Sequence, residues 1–343
     1  MEDAASCREL ATMVGYGRGA RARVDRAKPY AERGCALRDG AACRLRALFD
    51  ADAPKESASW LALGCEEGDG WSCFALTGLT ASGLAKSDRD LLEDGCDGDA
   101  PSVEACTLAA LRALARGDAA SVREAIRLLE QPREDTALFG ACDLHHTLMK
   151  RLSFRSSGCD FAMQSCPAGC DAQCDAEIIE RRTWLKSTLE AGCGAGDLVY
   201  CDGLGRLLAR GAWRSHLGTI LEPDAKAAEP VFTKNCDAGF MPSCEAVGEL
   251  HEAAAYAVTD EAAAKIERAK AHELYERACS GNLASACFRV AESAAPLAGM
   301  AEYRKACKLG MRGLCSDLAE MYAKGQGVVK DEAVALEMAL AAK

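Results

Sequence analysis

The chain has 343 residues, more than the roughly 100–200 of one ordinary domain, so it holds either several domains or an array of repeats. Its formal net charge is -11 and no Lys/Arg-rich run interrupts the acidic balance, which argues against nucleic acid or an anionic membrane as target and leaves a basic protein surface open. No apolar stretch approaches the ~18–20 residues of a membrane span, and the opening MEDAASCREL lacks the apolar core of a secretory signal.

Twenty cysteines are far beyond the usage of a cytosolic enzyme, and the even count suits a disulfide framework made in an oxidising compartment. Framework and missing signal agree if Met1 starts a mature chain; the alternative is entry into the compartment by another route. Periplasmic or secreted placement is expected, with the mitochondrial intermembrane space as the alternative.

In chain order, cysteines recur as C-x7-C: Cys35 with Cys43, Cys65 with Cys73, Cys193 with Cys201, Cys236 with Cys244, Cys279 with Cys287 and Cys307 with Cys315; Cys96 and Cys106 form a seventh pair at C-x9-C. Residues eight apart in one straight helix lie about 12 Å apart along the axis, beyond the ~4.4–6.8 Å between Cα atoms that a disulfide spans. A bonded pair therefore needs a chain reversal between its members. Gly40, Gly68 and Gly70, Gly98, Gly194 and Gly196, Gly239, Gly281, Gly310 and Gly313 offer the positive φ for it. The first cysteine is predicted to close a helix and the second to open the next, each local bridge contributing about 2.5 kcal/mol at most.

The opening cysteines, with Cys7 and Cys142 added, mark nine units starting near 7, 43, 73, 106, 142, 201, 244, 287 and 315. Their spacings of 36, 30, 33, 36, 59, 43, 43 and 28 residues are those of stacked helix pairs, apart from the 59. That interval holds SFRSSGCDFAMQSCPAGCDAQCDA, residues 153–176, which lacks helical periodicity; removing its 24 residues leaves 35 and restores the period. The segment is predicted to be a cysteine-rich arm projecting from the array. Within the units an apolar residue three after the marker and a small one four after (Leu10 and Ala11, Leu204 and Gly205, Val247 and Gly248, Val290 and Ala291, Leu318 and Ala319) predict the buried stripe. Met13, Leu79, Leu207, Leu250 and Met321, six after their markers, extend it. The fold class is an all-α solenoid of about nine helix-turn-helix repeats.

The last unit, LCSDLAEMYAKGQGVVKDEAVALEMALAAK, resembles a nearly complete Sel1-like repeat, with LA-x-MY-x-x-G-x-GV-x-x-D-x-x-x-A. CRELATMVGYGRG from Cys7 is a second copy, and Pro223 to Cys244 matches the second helix and turn; the units at 43, 73 and 106 are degenerate and residues 153–176 have no counterpart. With its C-x7-C staples the chain resembles the Helicobacter cysteine-rich, Sel1-like (TPR-like) proteins and, more distantly, a mitochondrial intermembrane-space assembly factor built of such repeats. Some members of the resembling family are described as penicillin-binding or β-lactamase-like, which implies a nucleophilic Ser. No S-x-x-K, K-T-G or S-D-N occurs here, nor G-x-S-x-G or a haem C-x-x-C-H.

No C-x-x-C redox motif is present, so the fourteen paired cysteines are expected in structural disulfides. Six remain. Cys7 sits at a second-cysteine position whose mate would lie before Met1, and Cys142 lacks a mate because Glu134 stands eight residues earlier. Cys159, Cys166, Cys170 and Cys174 are expected to form disulfides within the arm, a four-thiolate zinc site being the alternative. His145, His146, His216, His251 and His272 show no metal spacing and are expected to be solvated or capping. The glycine-rich GYGRG, GCGAG and GQG fall at repeat turns, without the preceding strand of a phosphate loop.

These residues predict no catalytic site, no cofactor and no resident metal. The expected function is a scaffold that binds a protein or peptide, with a β-lactamase-like hydrolase and a redox or metal-handling assembly factor as alternatives. Positions one, two and five after the marker should point away from the stack; in the C-terminal units they are Asp202 and Arg206, Glu245 and Glu249, Arg289 and Glu292, and Asp317 and Glu320. Mostly acidic, they would line an inner groove suited to a basic partner, or form ordinary solvated helix faces.

Overall fold

A computed structural model describes residues 3–17, 21–87, 90–129, 184–214, 218–294 and 298–342. The helices are α1 (Ala4–Tyr16), α2 (Val24–Ala36), α3 (Gly40–Leu48), α4 (Pro54–Glu66), α5 (Gly70–Ala81), α6 (Leu91–Asp97), α7 (Val103–Leu114) and α8 (Ala119–Leu129), then α9 (184–194) and α10 (Leu198–Arg210). They continue with α11 (Ala225–Asp237), α12 (Met241–Ala257), α13 (Glu261–Ser280), α14 (Ala284–Ser293), α15 (Met300–Lys308), α16 (Arg312–Lys324) and α17 (Glu332–Ala341). A two-stranded antiparallel hairpin, β1 (Ala212–Arg214) with β2 (Gly218–Leu221), follows α10 as an addition to the all-α plan. Cys142, the arm with its four cysteines, and His145, His146 and His216 lie outside the described residues.

The cysteines hold constant places. Each of the eight described opening cysteines is the fourth residue of its helix, and each closing cysteine is the penultimate residue of the helix before. Seven disulfides join the pairs, with Cα atoms 4.4 to 4.9 Å apart. Small residues permit that approach: a Cβ built on Gly34, just before Cys35, would lie 2.7 Å from Ala42 Cβ, and one on Gly64 would lie 2.5 Å from Ser72 Oγ. Cys7 is buried and unpaired.

Six of the seven bridged reversals share one capping scheme, the Cys96–Cys106 turn being the exception. The amide four residues before the opening cysteine donates to the carbonyl five residues before its own position, as in Asp69 to Gly64 (2.9 Å), Phe240 to Asn235 (3.1 Å) and Leu283 to Ala278 (3.0 Å). The residue between takes a left-handed conformation, and here the structure corrects the glycine assignment. Gly68, Gly196, Gly239 and Gly310 carry the positive φ, but in two turns Arg38 (φ 67°) and Asn282 (φ 65°) carry it instead of Gly40 and Gly281, and Gly98 in the Cys96–Cys106 turn is extended at φ -67°. An L-residue there costs about 1–2 kcal/mol relative to the right-handed region. Arg38→Gly is therefore expected to stabilise the chain by about 0.5–1 kcal/mol after the added chain entropy of glycine, and so to raise the thermal midpoint. The Arg38–Glu67 ion pair it removes is exposed on the arginine side and adds little. A lower midpoint than wild type by differential scanning calorimetry would contradict the capping assignment.

Opening helices begin on side-chain caps: Asp39 accepts from the Ala42 amide, Asp69 from Ser72, Ser102 from Ala105 and Asp197 from Val199. The opening helices α1, α3, α5, α7, α10 and α12 each touch the next in that order, so the row passes from α7 straight to α10. α9 supplies the preceding hairpin arm, with Trp184 edge-on to Trp71 at 6.3 Å between ring centroids. One apolar core runs from Ala47 to Met338, anchored by Trp71, Phe74 and Leu111. α8 leaves the row and lies against the C-terminal turns, where a Cβ on Gly117 would stand 2.9 Å from the Gly281 carbonyl oxygen and one on Gly310 3.0 Å from Val122.

The predicted stripe holds in the inner units, where Leu204, Val247, Val290 and Leu318 are buried. It fails at the first: Leu10 and Met13 are 44% and 41% exposed, because α1 packs against α2 and α3 through the Ala11 face and has no described neighbour on its other side.

Candidate binding cleft

The charged positions expected to face outward divide into two sets. Asp202, Arg206 and Glu245 are buried, at 0%, 5% and 3% exposure, which corrects their assignment to a solvated groove. In the units at Cys201 and Cys244, position one after the marker does not look into solvent. It lies under the turn of the next hairpin. Arg206 Nε donates to Asp202 Oδ2 at 2.6 Å and its terminal nitrogen to the Pro242 carbonyl at 3.2 Å. Ser243 Oγ donates to Asp202 Oδ1 at 2.7 Å and accepts from Asn235 Nδ2 at 2.7 Å, and Asn235 also reaches the Leu198 carbonyl. Burial alone would lower the Arg206 pKa, but the charges of Asp202, Glu249 and Glu245 outweigh it and hold the guanidinium above its ordinary range. The N-terminal units repeat the device in simpler form: Arg8 pairs with Asp39 at 2.8 Å and Arg44 pairs with Asp69, each one residue after a marker and joined to the cap of the next unit.

Glu249 and Arg289 are half-buried, whereas Glu292, Asp317 and Glu320 are exposed. Glu320 pairs with Lys324 along its own helix, a partner that keeps its carboxyl below the usual range. Of the eight candidate positions, Arg289 and Glu292 come together, in a cleft of about 630 Å³ between α12, α13 and α14. Its cause is unequal length. α13 has 20 residues and α12 has 17, but the facing α14 stops after 10, so the long hairpin overhangs by roughly 10 Å at 1.5 Å per residue.

At the cleft floor, Tyr275 Oη donates to Glu252 at 3.0 Å, and the Arg289 guanidinium lies 5.4 Å from the centre of the Tyr275 ring. Arg289 pairs with Glu252 and, at 3.3 Å, with Glu292. Burial, the largest influence on the Tyr275 phenol, raises its pKa, so the ring stays neutral across the physiological range. His272 Nδ1 is 2.8 Å from Ser293 Oγ at one end. Lys265, Arg268 and exposed Tyr256 form the rim. His251 lies outside the cleft, its Nδ1 2.6 Å from Glu267 and its Nε2 4.0 Å from Glu229. Sequence reasoning missed Lys265, Arg268, His272 and Tyr275, which belong to the second half of a repeat, and Tyr256, which sits near the end of the opening helix α12, beyond the positions one, two and five after the marker. A smaller hollow of about 490 Å³ lies beside Thr77, Arg112 and Tyr200, whose phenol burial pushes up to about 12.

Among the described residues no group of three or more His, Cys, Asp or Glu side chains is placed to hold a metal ion. No described helix is long and apolar enough to cross a membrane.

No family model matches the chain. It is similar to cytochrome c oxidase assembly factor 7 of Xenopus tropicalis, with 36% identity over 127 residues, covering 33% of this chain and 52% of that protein. Cytochrome c oxidase assembly factor 7A of Xenopus laevis matches at 35% over the same length and shares. The chain thus spans about half the length of the curated relatives it matches. Among solved structures it is similar to a Sel1 repeat protein from Oxalobacter formigenes, at 15% identity and a TM-score of 0.37 over 99% of this chain and 82% of that one. A protective antigen of uropathogenic Escherichia coli strains with an SLR fold gives 15% and 0.34, over 98% and 68%.

Proposed function

We propose that the chain is a non-catalytic, Sel1-like repeat scaffold of an oxidising compartment that binds a protein or peptide segment of another molecule. The observation that carries this reading is the preformed cleft on an array whose seven described hairpins are each closed by a disulfide. Local staples remove the need for a bulky core, and they hold the cleft walls in one geometry before any partner arrives, which reduces the ordering cost of binding. The similarity to relatives named as assembly factors supports a chain that handles another protein rather than one that turns over a small substrate. A periplasmic, secreted or intermembrane-space setting would each supply the oxidising conditions the staples require.

The test uses the oxidised full-length chain as bait for a random dodecapeptide display library. Enrichment of defined peptide sequences is expected, and it should disappear when the bait is fully reduced. Failure to enrich any sequence above bare resin would sink the scaffold reading, and nitrocefin turnover above a heat-denatured control would put the hydrolase in its place.

A further inference from the structure

The charges of the cleft are not equally engaged. Both floor carboxylates are occupied, Glu252 by Tyr275 and Arg289 and Glu292 by Arg289. The rim differs. Lys265, Arg268 and His272 recur at helical spacing on one face of α13, where residues three and four apart are neighbours, and they surround the small side chain of Ala269. Arg268 has Glu261 as its ion-pair partner, an exposed contact of the kind that contributes little in water. Lys265 has no carboxylate within ion-pair distance among the described residues. Across from them Tyr256 is 81% exposed at the end of α12. His272 has Glu276 at 3.4 Å, so in a chain of net charge -11 Lys265 is the rim cation left without a carboxylate among the described residues, and such a cation on a concave surface favours an anionic partner.

We propose that the cleft docks a short acidic peptide segment: Asp or Glu side chains of the segment pair with Lys265 and Arg268, and an apolar side chain beside them packs on Ala269 and the Tyr256 ring. This rests on the scaffold reading and gives its partner a chemistry. It also reverses the sign expected from the opening helices at this site: of the acidic residues thought to line a groove, Asp202 and Glu245 are buried, Glu292 is paired with Arg289, and Asp317 and Glu320 are exposed on α16, outside the cleft.

Two fluorescein-labelled dodecapeptides test it on the oxidised full-length chain by fluorescence anisotropy. One carries four Glu around a Leu and a Trp; the other is identical with Lys for Glu. The acidic peptide is expected to bind at least about tenfold tighter and to weaken as salt rises from 50 to about 300 mM, as steered charge pairs do. The exposed pair Lys265→Glu/Arg268→Glu should lose about tenfold in affinity for the acidic peptide, and Tyr256→Ser several-fold, both with unchanged thermal midpoints. Equal binding of the two peptides, preference for the Lys peptide, or indifference to the charge reversal overturns the proposal. If neither peptide binds but the display library enriches other sequences, the acidic partner is wrong and the scaffold stands; if the library also yields nothing, the scaffold falls with it.

Discussion

Arg206→Met is expected to lower the stability of the middle of the array by about 3–5 kcal/mol, the usual cost of removing one partner from a buried ion pair. Asp202, fully buried, would keep its charge without the guanidinium that pairs with it, and the Pro242 carbonyl would lose a donor. The methionine matches the arginine stem in shape, so little of the loss comes from a cavity. The loss should be local. Repeat arrays couple mainly through neighbouring interfaces, and the α10–α12 layer should open before the ends do. Urea titration with disulfides intact, followed by circular dichroism and by hydrogen exchange of α10 and α12 peptides, reads both effects. Asp202→Asn added to Arg206→Met should recover part of the loss, because it removes the stranded charge while Ser243 keeps an acceptor. A single-variant change below about 1 kcal/mol would show that the layer is hydrated and weakly coupled.

That polar layer marks the limit of what a helix pattern reveals. The staples were legible because a covalent length is a hard constraint: eight residues of straight helix exceed it, so a reversal must intervene, and each cysteine then has one place in its helix. Apolar periodicity located the stripe in inner units for a similar reason. It could not distinguish the two kinds of polar position, since a helix in a solenoid meets a neighbour on each side and, in the middle units, the residue just after the marker is buried. A signal was nevertheless present, in Arg8 and Arg44 after one marker and Asp39 and Asp69 four residues before the next. The left-handed Arg38 and Asn282 were invisible because flanking glycines at 40 and 281 offered a better-looking answer. The cleft depends on unequal helix lengths in successive units. Twenty residues from Glu261 to Ser280 without Gly or Pro announce a long helix, but the pocket exists only because α14 ends at Ser293, and that relation spans two repeats.

Gly70→Ala is expected to destabilise the chain by roughly 2–3 kcal/mol, the range for overpacking a site that cannot give way, although alanine is the better helix former by about 1 kcal/mol. Gly70 opens α5 with no positive φ, so backbone strain is not the reason. The reason is the neighbouring turn. An added Cβ would stand 2.2 Å from the Gly95 carbonyl oxygen, 2.6 Å from the Ser102 amide nitrogen and 2.7 Å from the Ala100 carbonyl oxygen, all main-chain atoms. Those atoms are held in turn: the Gly70 amide donates to Ala100 at 3.0 Å, Ala100 donates to Gly68 at 3.1 Å, and Ser102 donates to Gly95 at 2.8 Å. Adjacent turns thus form a parallel bridge between Asp69 and Ala100, which uses the two extra residues of the Cys96–Cys106 loop. Gly194 is the internal control, since a Cβ there meets nothing within 4 Å and no positive φ is involved. Gly194→Ala should change the urea midpoint by no more than about 0.5 kcal/mol, as surface substitutions usually do. Non-reducing peptide mapping should find Cys65–Cys73 and Cys96–Cys106 intact in both variants. Equal midpoints for the two would mean that the turns of the second and third stapled hairpins are not in main-chain contact, and the register of the N-terminal stack would have to be redrawn.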